Sequence, residues 1–451
     1  MKVDAKHPLY DAFLPRWQVC SDAVAGPHVM SQKADKYLCS LAEGNDSEQA
    51  RQRNARYQKL ARYSGFSGST VAGFVGLAFY RYPAVTAPDY LQEDVDGSGV
   101  SLEQQAKGAL AAMLTKGRIG LWVDYPLGAG ALSRAEQEEK KVRPVILAYS
   151  AESIINWRDK TLVVLHEKYI KEDDGFEAKY GDQYRCLRLI DGIYVVEVYR
   201  TATNGKFELV VEMSGVPTDS SGNPWREIPF AFLGPENNAA DPDAPTIEEI
   251  AHLNIGHFRN SADCEISSFE MRPTVAVKMK AAWLKDVLKG QINMGGAIPL
   301  DVDGDIQIVQ SDPNDLALKL KDDKKADMIA LCARIIEPER TQRTATEAAG
   351  DQIQYTSRLS AACDNLSTAY TKALNWCARY SGDTEEMLYQ LDTNFGTNKM
   401  TAQERQQLMA EWLGGAITDF DFHRVMKSDG IITEEFDDWQ ASKEGAVNAD
   451  A

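Results

Sequence analysis

Thr246-Ile-Glu-Glu-Ile-Ala-His-Leu-Asn-Ile-Gly-His-Phe-Arg-Asn-Ser-Ala-Asp-Cys-Glu-Ile-Ser-Ser-Phe269 reads as one long amphipathic helix. Thr246-Ile-Glu-Glu249 has the form of a capping box, in which hydroxyl and carboxylate satisfy orphan N–H groups. The helix it opens runs to about Phe269, roughly 36 Å at 1.5 Å per residue, and Arg272-Pro273 stops it. A second helix is expected from Leu316 to Ile336, ended by Glu337-Pro338. The pair shows apolar positions at Ile247, Ile250, Phe258 and Ile266, and at Met328, Ile329, Cys332 and Ile335. These need neighbours to bury them. Between the helices lies a small α/β insert. It has a strand over Val275 to Met279, a helix near Ala281 to Leu288, and strands around Ile298 and Ile306 to Val309. After Glu337-Pro338, a loop with Arg340, Thr341, Gln342, Arg343 and Thr344 precedes a third helix. That helix starts near Thr344 or Thr346 and runs about 35 residues to Tyr380.

Upstream, helical patterns cover Ser47 to Tyr63 and Ser101 to Thr115, with a break at Gly65 to Thr70 and an apolar run over Val71 to Tyr80. Ile119 to Val123 is a short strand and Ala135 to Lys141 a charged connection. From Arg143 to about Phe232 the pattern is that of strands: Val145 to Tyr149, Leu162 to Glu167, Tyr184 to Ile190, Ile193 to Arg200 and Phe207 to Glu212. Asp191-Gly192 and Asn204-Gly205 are hairpin signals, so an antiparallel module is expected. Gly234 to Pro245 is an acidic linker. Thr401-Ala-Gln-Glu404 is a second capping box, leading into two short helices around Gly414-Gly415. The last 23 residues hold seven acids and one lysine and read as a solvated tail. The fold class is α+β.

Composition narrows function. The chain has 451 residues, 49 Lys and Arg against 67 Asp and Glu, and a formal net charge of −18. No run approaches the roughly 18 apolar residues of a membrane span, and the charged start Met1 to Pro8 argues against a secretory leader. Seven scattered cysteines without a Cys-x-x-Cys pair suggest neither a disulfide framework nor a zinc site. The acidic balance opposes a protein that coats nucleic acid through bulk charge. It leaves room for one that nucleic acid merely passes.

Motifs for catalysis are missing or broken. There is no Walker A sequence, so Asp124, at the end of an apolar strand, is read as a turn cap. Gly65-Phe-Ser-Gly-Ser69 fails the Gly-x-Ser-x-Gly elbow. His252 and His257 lie about 140° apart round a helix, too far to share a metal. Gln92 to Glu103 places Asp94, Asp96, Gly97 and Glu103 in calcium-loop positions but starts on Gln92. Arg51, Arg53, Arg56, Lys59 and Arg62 are spread round their helix, as on a solvated surface. Arg340 and Arg343, with Thr341 and Thr344, suit transient phosphate contact on a loop.

The chain resembles the portal proteins of tailed bacteriophages, the head-to-tail connectors, and within them a portal-like family of formerly unknown function. The words that carry the resemblance are Gly120-Leu-Trp-Val-Asp-Tyr-Pro126, Arg143-Pro144, Ala151-Glu-Ser-Ile-Ile-Asn-Trp-Arg158 and Ile228-Pro-Phe230. Leu253-Asn-Ile255, His257, Asn260-Ser-Ala-Asp263 and Thr344-Ala-Thr-Glu347 complete them, in order between about residues 60 and 380. The resemblance implies a portal fold divided into a wing over 1–244, a first stem helix over 245–271 and a clip over 272–315. A second stem helix over 316–337, a tunnel loop over 338–346, a long wing helix and return over 347–400, and a short crown with acidic tail over 401–451 follow. It further implies a ring, about twelve subunits at one capsid vertex, through which double-stranded DNA is packaged and ejected. Partners would be the terminase large subunit, a head-tail adaptor protein, and the major capsid and scaffolding proteins. The ring would assemble in the host cytoplasm and reside in the virion, with no membrane and no cofactor. Arg340 to Thr344 would face the channel, and Trp283, Leu284, Lys285 and Lys289 would dock terminase or adaptor. No catalytic or metal residue is expected. The rival reading is an acidic α+β metal-dependent hydrolase or nucleotidyl-transfer enzyme, and a further one is a monomeric scaffold with a coiled-coil arm.

Overall fold

Local capping chemistry sets the N-terminal helices. The computed structural model describes residues 2–41, 47–125, 142–202, 205–270, 274–278, 305–309, 315–336, 357–393, 395, 402–428, 431–432, 436 and 439–440. Helix α1 (Pro8–Ala25) begins where the His7 ring accepts the Leu9 N–H and Pro8 stands at its first turn. Two short helices follow, α2 (Pro27–Gln32) and α3 (Ala34–Tyr37). Ser47 caps α4 (Glu48–Leu60) by accepting the Ala50 N–H. Helix α5 (Phe66–Ala78) runs straight through the expected break at Gly65 to Thr70. Gly68 explains this, because a Cβ there would lie 2.7 Å from the Val24 carbonyl oxygen. The glycine is a helix-packing contact and not a stop.

Strand β1 (Ala84–Thr86) and helix α6 (Asp89–Glu93) lead to α7 (Leu102–Lys116). Ser101 caps α7 through the Gln104 N–H, and Gly117 ends it with φ +69°. Strands β2 (Ile119–Asp124) and β3 (Val145–Ser150) come next, separated by 126–141, where the charged connection lies outside the described residues. The sheet run then continues through β4 (Ile154–Arg158), β5 (Leu162–Asp173), β6 (Ala178–Ile190), β7 (Ile193–Thr201), β8 (Phe207–Leu209) and β9 (Phe230–Leu233).

These strands form two antiparallel sheets where one module was expected. The first has the order β3-β2-β9 and the second β4-β5-β6-β7-β8. Val145 to Tyr149 therefore pairs with β2, in the register Trp122↔Leu147, and not with the neighbouring strands. The cause is β2 itself. Ile119, Leu121, Trp122 and Val123 are all buried, so both faces and both edges need cover. Gly120 permits it, since a Cβ there would lie 2.2 Å from the Phe230 ring on β9. The Asp191-Gly192 hairpin forms as expected, with φ +49° and +73°.

Strands β5 and β6 outrun the rest of their sheet. β4 reaches only Leu165, and the pairing of β7 with β6 extends no farther than Arg200 opposite Gln183. Residues 166–173 and 178–182 therefore stand out as a two-stranded ribbon. The expected strands stopped at Glu167 and restarted at Tyr184. The ribbon is solvated on both faces, so no apolar alternation marks it.

Helix α8 (Glu248–Glu270) and helix α9 (Asp315–Ile336) lie side by side, and β10 (Thr274–Lys278) pairs antiparallel with β11 (Asp305–Val309) in the insert between them. The remaining insert, including the helix expected near Ala281 to Leu288, falls outside the described residues. Helix α8 opens at Glu248, whose N–H reaches the Pro245 carbonyl at 3.1 Å. That is one residue later than the Thr246 box implies, and Ile247, just before it, is buried. Helix α10 (Arg358–Ser381) starts well after Thr346. Ser357 is extended (ψ 159°) and its hydroxyl accepts the Ser360 N–H at 3.1 Å. Strand β12 (Leu388–Gln390) returns along α10 and pairs with β1.

Residues 1–391 form one unit, and 392–451 a second. The second contains α11 (Ala402–Leu413) and α12 (Asp419–Ser428). Trp412 stacks on Phe422 at 4.2 Å between ring centroids, and Trp439 and Phe436 pack against His423. Part of the acidic tail is thus packed, contrary to the expected solvated run. Its aromatic residues sit four and seven positions after Ile432, among the acids that mask them.

Candidate functional site

The paired helices α8 and α9 were the candidate assembly element, so their surroundings decide what they can do. Helix α8 is held almost wholly by its own chain. Ile247, Ile255, Phe258 and Ala262 join a buried cluster with Cys20, Met30, Tyr37, Tyr57 and Tyr63 from α1 to α5 and their loops. Polar ties add direction. The Asn254 amide donates to Tyr63 Oη (2.7 Å) and Ser67 Oγ (3.0 Å), and Tyr57 Oη donates to Asp263 (2.9 Å). Ser261 accepts the Arg62 N–H at 2.9 Å and donates to the Arg62 carbonyl at 2.7 Å. Arg16 grips the Glu248 carboxylate through both nitrogens, with Nε at 2.7 Å. This holds Glu248 below the usual carboxylate range. The expectation that Ile247, Ile250, Phe258 and Ile266 await neighbouring subunits is therefore wrong. All four are buried within the chain.

Helix α9 behaves differently. Ala317, Met328 and Ile335 face α8 and are buried, and Lys324 Nζ donates to Asn260 at 2.6 Å. Leu316 is 65% exposed, Ile329 54%, Leu318 46% and Leu320 40%. At about 100° per residue, Leu316 and Leu320 lie on one flank of the buried face and Leu318 and Ile329 on the other, roughly 180° apart. His257 faces α9 at Lys321, Lys324 and Lys325. Burial first, then Lys321, holds its imidazole below the ordinary value.

The acids that might serve metal chemistry are already engaged. Glu167 Oε1 accepts from Tyr149 Oη (2.6 Å) and Arg185 Nε (2.8 Å), and Oε2 accepts from Gln183 (2.6 Å). Burial alone would raise its pKa, but Arg185 outweighs that and holds the carboxyl below its usual range. Asp124 is pushed up by burial. In the calcium-like loop, Asp94 accepts the Gly99 N–H (2.7 Å) and pairs with Arg143, while Asp96 accepts the Ser98 N–H at 2.9 Å. These carboxylates hold a turn. Among the described residues, no group of three His, Cys, Asp or Glu side chains is placed to hold a metal ion. No described helix is long and apolar enough to cross a membrane.

Arg340, Thr341, Gln342, Arg343 and Thr344, and Trp283, Leu284, Lys285 and Lys289, lie outside the described residues. Sequence reasoning missed two features. One is Arg118, a buried guanidinium 3.8 Å from the Trp157 ring centroid and 4.7 Å from that of Phe232. Burial lowers its pKa to about 9. The other is the ribbon turn Asp173-Asp-Gly-Phe-Glu177, whose Asp-Gly pair was the available signal.

A family model described as a domain of unknown function, DUF4055, matches residues 246–381. That span runs from the turn opening α8 to the last residue of α10. No curated protein matches the chain. Among solved structures, the chain is similar to one from the virion of a native gene transfer agent (GTA) particle, with a TM-score of 0.40 and 14% identity over 82% of this chain and 91% of the other. A second comes from the neck of a native GTA particle computed with C12 symmetry, with a TM-score of 0.42 and 12% identity over 83% and 93% of the two chains. At these scores neither likeness defines a shared fold.

Proposed function

We propose that the protein is the subunit of a portal-type ring, a non-enzymatic conduit for double-stranded DNA at one capsid vertex. The observation that carries this reading is helix α9. It is anchored on one face and leaves apolar side chains on two opposite flanks. A subunit in a closed ring meets a different neighbour on each side through heterologous contacts, and two opposed flanks are what that arrangement uses. A pairwise isologous dimer would cover only one.

Charge fits the same reading. About twelve chains at −18 each carry on the order of −200. Walls of that sign present no deep minimum to arrest a phosphate backbone, so DNA can slide. In this reading Arg340 and Arg343 supply weak contacts at the tunnel loop, while the insert between α8 and α9, with Trp283, Leu284, Lys285 and Lys289, docks the terminase large subunit and later an adaptor. The major capsid and scaffolding proteins are further partners of the ring in this reading.

Electron microscopy of the purified protein, with particle mass measured in parallel, tests the reading. Annular particles of about twelve copies are expected, and a species that stays monomeric at all concentrations rejects it. In assembled particles, Arg340→Ala with Arg343→Ala should leave the ring intact while altering DNA packaging or retention. Wild-type packaging in that double variant would remove the tunnel-loop assignment.

A further inference from the structure

The two ends of strand β5 carry complementary features. At its far end the ribbon closes through Asp173-Asp-Gly-Phe-Glu177, and the Phe176 side chain is fully exposed. The turn is rigid. Gly175 has φ +88°, and Asp174 Oδ1 accepts the N–H groups of Phe176 (2.9 Å) and Glu177 (2.6 Å). Tyr180 and Ile170 on the same ribbon are also exposed, and an aromatic on an acidic turn held by local hydrogen bonds loses little freedom on burial, as an interface anchor should.

At the other end of β5, beside Val163, lies a cleft of about 1080 Å³. Its apolar floor includes Trp157, Phe230 and Phe232. Its rim carries Arg158, Lys160, Arg226 and Lys372. Two of the nearby acids are engaged, since Glu227 pairs with Arg379 at 3.1 Å and Asp241 accepts the Trp157 indole N–H at 3.0 Å. Asp159 and Asp241, whose charge an indole N–H does not cancel, then stand against the four cations. Behind the floor, Arg118 adds a further positive charge, and its guanidinium has no hydrogen-bond partner among the described residues.

We infer that the Phe176 turn of one copy seats in the Trp157 cleft of the next copy around the ring. The inference rests on the ring reading above and deepens it by naming the contact. Shape and charge both match, an aromatic flanked by Asp173, Asp174 and Glu177 entering an aromatic floor with a basic rim. The chain cannot fill its own cleft. Val163 and Asp173 are ten residues apart on one continuous strand, about 33 Å at 3.3 Å per residue. A knob and a hole at opposite ends of one strand make a head-to-tail contact, which closes into a ring when the rotation allows.

Crosslinking tests it on the full chain, with the exposed Cys39 replaced as Cys39→Ser. Phe176→Cys combined with Lys160→Cys, treated with a short bismaleimide, should give a ladder of covalent oligomers. Either substitution alone should stay monomeric on a denaturing gel. Phe176→Ala, which removes no intrachain packing, should raise the concentration needed for assembly by about 30-fold or more. Lys160→Glu should weaken assembly, and Glu177→Lys should restore it. Wild-type rings without a ladder, and with unchanged assembly in Phe176→Ala, give the cleft to another occupant and overturn this contact alone. A crosslink in Phe176→Cys by itself points to a symmetric pairing of turns and overturns it too. A wild-type chain that never forms rings overturns the ring reading and this contact together.

Discussion

Helices α8 and α9 have nearly the same length, 23 and 22 residues, and lie against each other, yet they are stabilised in different ways. Helix α8 spends its apolar positions inside the chain, on α1, α4 and α5. Helix α9 buries only three of its side chains fully and leaves four large apolar ones in water. The contrast separates two jobs that a hydrophobic pattern alone cannot tell apart. One helix is spent inside the subunit; the other keeps apolar side chains exposed, which the proposed ring would use.

The largest effect should come from α8. Phe258 is fully buried and meets Tyr63 edge-on at 5.6 Å, so Phe258→Ala should cost about 3–5 kcal/mol in denaturant unfolding. A loss under about 1 kcal/mol would mean the site collapses freely, and the claimed contrast with α9 would fail.

A smaller effect concerns the seam between the helices. The His257 imidazole is held below its ordinary value, so the unfolded chain binds that proton more tightly than the folded one. Its contribution is intact above the unfolded value of about 6.5 and is lost as pH falls through the folded value. Between pH 7.5 and 5.5 the wild type should therefore lose about 1–2 °C more in thermal midpoint than His257→Gln. Equal losses would remove the seam from the account.

The smallest effect on the subunit should come from α9. Leu316→Ser or Ile329→Ser should change monomer stability by no more than about 0.5 kcal/mol, while ring yield by light scattering falls. Rings at wild-type yield in the variant carrying both Leu316→Ser and Ile329→Ser would take these flanks out of assembly.

Features dictated by a few adjacent residues were legible in the sequence. The helices beginning near Ser47 and Ser101 and the Asp191-Gly192 hairpin are each set within one or two turns of chain. What depends on distant partners was not. The pairing of β2 with β9 joins residues more than 100 positions apart, and nothing near Ile119 or Phe230 announces it. Strand β4 was hidden because Ile154 to Arg158 follows a short helical turn and shows no clean alternation. The fate of α8 was misread for a related reason. An amphipathic face states that a partner exists but not whether it is Tyr63 of the same chain or a neighbour. Of the candidate site, α9 and its Ile329 were legible and Leu318 and Leu320 were not, while the Phe176 turn was signalled only by Asp174-Gly175 within a ribbon rich in Lys, Glu and Asp.

The ribbon has a mechanical consequence. Because β5 and β6 continue from the sheet into the ribbon with a single register shift between Ile170 and Glu172, a pull on Phe176 along the strand axis is carried through that shift to the β4–β5 and β6–β7 ladders. Their hydrogen bonds would then be loaded together in shear, not peeled rung by rung. A grip made at that tip would be stiff against lengthwise tension and would yield most easily to sideways bending.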